Sequence, residues 1–107
     1  MELNQYDIIL VNLDPTIGSE IKKTRPCLIL SPNEMNKYLR TVIVAPMTTT
    51  TKPYPTRVAL IHDGKQGAAA IDQIRTIDKR RIIRVLGHIT ANEVKQCKAI
   101  IKETLVD

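Results

Sequence analysis

Residues 18–32 read Gly-Ser-Glu-Ile-Lys-Lys-Thr-Arg-Pro-Cys-Leu-Ile-Leu-Ser-Pro, and the change of character halfway along them sets the architecture. The first half is a charged loop: Gly18 and Ser19 favour a turn, and Glu20, Lys22, Lys23 and Arg25 follow closely. The second half, Cys27 to Leu30, is a short apolar run stopped by Ser31-Pro32, the pattern of a buried strand. Pro26 stands at the strand start, one of the few sheet positions that can spare an N–H. A carboxylate and a guanidinium therefore ride on a loop and the strand after it, a common address for chemistry on a small scaffold. A solvated turn with a surface ion pair fits the same residues.

Upstream, Tyr6 to Leu13 is β-branched and apolar and predicts a first strand. Downstream, Asn33 to Leu39 is compatible with one or two helical turns, and Thr41 to Met47 predicts a third strand. Thr48 to Pro55 (Thr-Thr-Thr-Thr-Lys-Pro-Tyr-Pro) packs no core and supports a helix poorly, so it reads as a loop. Thr56 to Ile61 returns to strand character, His62-Asp63-Gly64 marks a turn, and Gly67 to Ile74 predicts another strand. A basic turn over Asp78 to Ile83 and a last strand over Arg84 to Ile89 follow. Thr90-Ala-Asn-Glu93 has the form of a capping box opening a helix, with Val94, Cys97, Ile101 and Leu105 on one face. Five or six short strands and a terminal helix predict a mainly β chain, a small antiparallel barrel capped by a helix.

The 107 residues suffice for one core and are too few for two, so residues 1–107 are expected to form a single domain. Apolar residues make up 43%, which excludes a disordered chain. Aromatics are scarce, with three Tyr and neither Phe nor Trp, so the core must be aliphatic and rows of rings stacking RNA bases are excluded. A net charge of +5 and clusters at Lys22, Lys23, Arg25 and at Lys79, Arg80, Arg81, Arg84 point to a polyanionic partner, nucleic acid or an acidic protein tail. Cys27 and Cys97 are too few and too far apart for a metal cage or a redox pair and read as small core hydrophobes. No secretory leader pattern opens the chain and no apolar run approaches the ~20 residues of a membrane span, so a reduced, soluble, cytoplasmic protein is expected.

The two histidines are the obvious acid–base candidates, but their settings do not favour them. His62 lies in a turn, where a solvent-facing side chain is the commoner outcome, and His88 sits in the last strand, where a structural role fits as well. No metal-ligand spacing and no glycine-rich phosphate loop occur, so no metal or cofactor is expected. Three polar groups stand out instead: Glu20 with Arg25, Thr48 with Thr49, and Asp72 with Gln73, each at a strand end or in a loop that a barrel can bring to one rim. RNA cleavage needs a group to take the 2′-hydroxyl proton and groups to stabilise charge on the phosphate. A carboxylate, a guanidinium and a threonine hydroxyl meet that need.

Several fragments in order resemble the MazF/PemK family of toxin endoribonucleases: Asn12-Leu13-Asp14-Pro15-Thr16, Gly18-Ser19-Glu20, Arg25-Pro26, Leu28 to Pro32, Pro46-Met47-Thr48-Thr49, Tyr54-Pro55 and Asp72 to Asp78. The resemblance runs from about Tyr6 to the final helix. It implies an SH3-like barrel, a homodimer, and metal-independent, sequence-specific cutting of single-stranded RNA that leaves 2′,3′-cyclic phosphate and 5′-hydroxyl ends. It also implies an acidic, MazE-like antitoxin that blocks the site, and no cofactor. On matching positions, Arg25 stabilises the transition-state phosphate, Thr48 holds the scissile phosphate and Glu20 is the candidate base. Arginine stays protonated, so its role is electrostatic. A glutamate near its ordinary pKa of ~4.3 needs local burial to serve as that base. Ser19, Thr49, Lys52, Tyr54, Asp72 and Gln73 are the expected substrate contacts. PemK-type members carry a histidine at the position of Ser19 and an arginine at that of Ala70, so the chain resembles the MazF branch more closely. Asp72 keeps two readings, substrate contact or a carboxylate tying down backbone. Lys52 and Tyr54 either touch RNA or build a proline-stiffened turn. Arg75 and the cluster Lys79 to Arg84 serve RNA, a dimer contact or solubility.

Two other classes compete: a non-catalytic inhibitor resembling the CcdB toxins that poison DNA gyrase, and a basic SH3-like module that binds RNA without cutting it. The first relies on a C-terminal tryptophan, and this chain has none.

Overall fold

The computed structural model describes residues 1–13, 24–49 and 54–106. Its strands are β1 (Asp7–Asn12), β2 (Thr24–Ile29), β3 (Thr41–Thr48), β4 (Arg57–His62), β5 (Lys65–Ala70), β6 (Arg75–Asp78) and β7 (Ile82–His88). Helix α1 (Asn33–Tyr38) links β2 to β3, and α2 (Ala91–Ile101) follows β7. Every pairing is antiparallel, in the order β4-β5-β3-β2-β1-β7, with β6 also on β3. The sheet curls into a half-barrel with α2 against it, the mainly β, helix-capped barrel expected from the strand spacing.

The unalternating runs Ile8-Ile9-Leu10-Val11 and Cys27-Leu28-Ile29 follow from the curl, which buries both faces of the central strands. Ile8, Leu28, Ala45 and Met47 point to one core with Val58, Leu60 and Cys97, beneath α2. Their neighbours Ile9, Val11, Cys27, Ile29, Val42 and Val44 point the opposite way, to a second core closed by Leu3, Ile77 and Ile82. Because successive residues of a strand face opposite ways, one short apolar run feeds two cores. Cys27 and Cys97 fall in different cores as buried free thiols, as their reading as small hydrophobes requires. Burial pushes the Cys27 thiol up to about 11, against the lowering pull of Arg25 and Arg75.

Four details differ from expectation. The predicted strand Gly67 to Ile74 starts earlier, at Lys65, and ends at Ala70, where Ile71–Gln73 form a 3-10 turn. The Ile71 N–H still donates to the Thr56 carbonyl, the next rung of the β4–β5 register, and the Ile74 N–H then donates back to the Ile71 carbonyl to close the turn. Arg75–Asp78 forms a strand unread in the sequence, because among its four residues only Ile77 is a buried apolar one. Leu105 is 53% exposed. The helix changes to π winding over Lys102–Val106, which turns Leu105 off the face carrying Val94, Cys97 and Ile101.

The capping box holds: the Thr90 hydroxyl accepts from the Glu93 N–H at 3.2 Å and Glu93 Oε1 accepts from the Thr90 N–H at 2.8 Å. The second oxygen, Oε2, accepts from the Ile61 N–H at 2.9 Å, so the start of α2 holds edge strand β4 one residue from His62. Among the described residues, no helix is long and apolar enough to cross a membrane.

Candidate active site

A cleft of about 450 Å³ opens at one end of the sheet, lined by residues of β2 (Thr24, Arg25, Pro26), of β3 and its exit (Met47, Thr48, Thr49) and of the β4–β5 hairpin (His62, Lys65, Gln66, Gly67). The β2–β3 ladder pairs Ile29 with Val44, Leu28 with Ala45 and Cys27 with Pro46. Continuing that count by two residues sets Arg25 against Thr48, so antiparallel register brings together two groups far apart in the chain. Pro26, lacking an N–H, sits in the first half of β2 and lines the cleft beside them. The Thr48 hydroxyl oxygen is buried without a hydrogen-bond partner among the described residues. A buried hydroxyl in that state is costly unless something else completes it, and the cleft is where a ligand atom can do so.

The hairpin supplies the rest. Asp63 and Gly64 both have positive φ, 54° and 73°, the requirement of the two-residue turn that matches strand twist. That turn sets His62 opposite Lys65 as the closing pair of the ladder. Val58 and Leu60 are buried, and the two-residue period of β4 carries His62 to the same side, half-buried at the cleft wall. Two glycines make this possible. A Cβ on Gly67 would stand 2.8 Å from the Thr48 carbonyl oxygen, so only glycine lets β5 approach the end of β3 this closely. A Cβ on Gly87 would stand 3.2 Å from His62 Cε1 and 3.5 Å from Nδ1, so the imidazole lies against bare backbone of β7.

Of the residues singled out in the sequence, Arg25, Thr48 and Thr49 meet in the cleft. Ser19, Glu20 and Lys52 lie outside the described residues. Tyr54, Asp72 and Gln73 do not line the cleft. Tyr54 and Asp72 belong to a separate group at the start of β4, and Gln73 ends the 3-10 turn that carries Asp72. There Asp72 Oδ1 accepts from the Thr56 hydroxyl at 3.0 Å and lies 3.6 Å from Arg57 Nε. The Arg57 guanidinium stacks over the Tyr54 ring at 5.0 Å.

Sequence reasoning set His62 aside as a solvent-facing turn residue, whereas the fold half-buries it at the cleft, and it did not single out Lys65 or Gln66. The one signal available was the Asp63-Gly64 turn itself, since a tight hairpin presents its closing pair at a sheet end. His88 has a different setting: its Nδ1 lies 2.9 Å from Asp7 Oδ1, across the β1–β7 pairing, outside the cleft. Arg25 and Lys65 put two cations around the cleft, and no carboxylate among the described residues lines it. The site suits an anion bearing both a charge to clamp and a hydroxyl or oxygen to align.

The chain is similar along most of its length to known toxins. The sequence profile of the PemK-like, MazF-like toxins of type II toxin–antitoxin systems matches residues 4–105. The endoribonuclease toxin MazF of Escherichia coli K12 is 36% identical over 94 residues, 87% of this chain and 85% of that protein. The crystal structure of MazF from Deinococcus radiodurans superposes with a TM-score of 0.81 at 26% identity, over 100% of this chain and 99% of the other. A crystal structure of MazE–MazF from the same organism matches with a TM-score of 0.85 at 27% identity, over 99% of this chain and 97% of the other. With the profile covering nearly the whole chain and that level of identity to MazF, the protein belongs to the PemK-like, MazF-like toxin family of type II toxin–antitoxin systems.

Proposed function

We propose that the cleft is the active site of an endoribonuclease toxin that cuts single-stranded RNA by attack of a 2′-hydroxyl on the adjacent phosphate. The observation that carries this reading is the meeting of Arg25 with Thr48, whose hydroxyl is buried and unpartnered among the described residues, in a cleft free of described carboxylates. The Arg25 guanidinium pairs with the phosphate oxygens and offsets charge growing there in the transition state. The Thr48 hydroxyl donates to the same phosphate and fixes it for in-line attack. The products are a 2′,3′-cyclic phosphate and a 5′-hydroxyl end, formed without a metal.

Thr49 and Lys65, at the cleft, Tyr54, under the Arg57 guanidinium, and Gln73, at the end of the 3-10 turn, are the RNA contacts we assign. Ser19, Glu20 and Lys52 belong to the same proposal by resemblance alone. Of the two readings of Asp72, its hydrogen bond from Thr56 and its ion pair with Arg57 support a carboxylate that ties down the start of β4. The protein acts in the cytoplasm, as one domain, on RNA, and an acidic antitoxin seated on the basic surface silences it. It works as a homodimer, for which exposed Ile83 and Val85 on edge strand β7 offer apolar area. The gyrase-inhibitor and non-cutting alternatives have nothing in the family comparison to favour them.

The test is cleavage of a long, mixed-sequence single-stranded RNA in EDTA, followed by mapping of the ends. Cuts at one short motif, with cyclic phosphate ends and a loss of about 10²–10³-fold in Arg25→Ala, are expected. Folded, antitoxin-free protein that leaves such RNA intact overturns the catalytic reading.

A further inference from the structure

We infer that His62 is the general base of the cleft, taking the proton of the attacking 2′-hydroxyl. The inference rests on the endoribonuclease reading of the same cleft and adds to it the group that moves the proton. Arg25 and Lys65 are donors with no acceptor atom, and Thr48, Thr49 and Gln66 are hydroxyl and amide side chains. Among the described residues lining the cleft, His62 is the one side chain of a type whose ordinary titration range makes it a proton carrier near neutral pH.

Three features hold the imidazole for that work. The two-residue turn fixes His62 as the closing pair of the hairpin, opposite Lys65. Gly87 leaves room beside its ring, since a Cβ there would stand 3.2 Å from Cε1 and 3.5 Å from Nδ1. The Glu93 carboxylate anchors the neighbouring Ile61 N–H, so the strand end carrying His62 is tethered to α2. The charged groups around it are Arg25 from β2 and Lys65 from β5, with Glu93 of α2 bonded one residue away and Asp63 exposed in the turn. From β7 the contact is the Gly87 backbone, next to His88, whose ring is turned to Asp7.

The step balances. As the O2′–P bond forms, neutral His62 takes up the 2′-hydroxyl proton and becomes imidazolium. The P–O5′ bond breaks and water protonates the leaving 5′-oxygen, giving a cyclic phosphodiester, a 5′-hydroxyl end and hydroxide. The imidazolium then returns its proton to that hydroxide, restoring the neutral ring. Arg25 and Lys65 hold the phosphate negative charge throughout.

The experiment compares wild type, His62→Gln and His62→Ala in the RNA cleavage assay across pH 5 to 9, with thermal melts confirming that each folds. Expected for His62→Gln is a kcat about 10²–10³-fold lower with KM little changed, and loss of the fall in rate that wild type shows toward acid pH. In His62→Ala, added imidazole restores part of the rate. A variant that cuts at the wild-type rate with the wild-type pH profile overturns the inference while leaving the endoribonuclease reading intact. A slower variant with an unchanged profile and no rescue by imidazole also overturns it, assigning His62 to packing against Gly87. Wild-type protein that cuts nothing removes both readings.

Discussion

The His62 imidazole lies against the bare Cα of Gly87, where a Cβ would stand 3.2 Å from Cε1. That contact is tight, yet the atom met is part of a side chain that can swing aside by a few tenths of an ångström. Gly87→Ala is therefore expected to cost less than about 1 kcal/mol in folding while displacing the ring. If His62 takes the 2′-hydroxyl proton, cleavage falls several-fold more than stability does. Melting curves and single-turnover cleavage of the same preparation decide the point.

Gly67 presents the opposite case, because the atom its Cβ would meet at 2.8 Å is a backbone oxygen, that of Thr48. Backbone cannot swing aside, so β5 must separate from the end of β3. Gly67→Ala is expected to destabilise the protein by about 1–3 kcal/mol and to lower RNA cleavage through the displaced Thr48. Urea unfolding with an unchanged midpoint would contradict this.

Glu93 joins the α2 cap to strand β4, and its charge makes that junction sensitive to acid. Burial works to raise its carboxyl, but the N–H groups of Thr90 and Ile61 and the Thr90 side chain together hold it below the usual glutamate range. A carboxyl lowered in the folded state contributes stability that is full above its unfolded pKa near ~4.3 and is lost as pH falls through the folded value. Wild-type stability is thus expected to drop below about pH 4.3 more steeply than that of Glu93→Gln. Glu93→Ala at pH 7 is expected to cost about 1–2 kcal/mol, read from thermal melts.

The two thiols titrate the other way. Desolvation raises Cys27 and Cys97 each to about 11, so both are protonated in the native protein at pH 8. Neither is expected to react with a disulfide reagent at that pH until denaturant is added, when both should. Raised folded values mean stability present below the unfolded thiol pKa near ~8.5 and declining as pH rises toward 11. Fast labelling of native protein would show that one of the cores opens.

Asp72 accepts from Thr56 and sits beside Arg57, away from the cleft. Asp72→Asn is expected to lower stability by less than about 1 kcal/mol, since the group is partly exposed, and to leave RNA affinity unchanged. A tenfold loss of affinity in a filter-binding assay would return Asp72 to the substrate contacts.

Much of the molecule was legible without its structure, and for local reasons. β1, β2 and β3 were visible because strands buried on both faces are written as unbroken apolar runs. The start of α2 was visible because a capping box satisfies orphan N–H groups with side chains three residues apart. Arg25 and Thr48 were singled out from residue type and family resemblance, and Asp63-Gly64 from the demand of its turn for positive φ.

Relations between distant segments had no local signature. β6 has one buried apolar residue and exists because β3 offers it an edge. That Arg25 and Thr48 line one cleft follows from the register between β2 and β3. The place of His62 was read as solvent because a turn residue usually faces water. Only the fold shows β5 drawn close at Gly67 and space left at Gly87, so that the same histidine becomes a wall of the cleft. Sequence alone determined which segments could bury themselves and where the chain could turn, since those depend on neighbouring residues. The tertiary structure decided which polar groups share a cleft, because that depends on strand register and on two missing side chains.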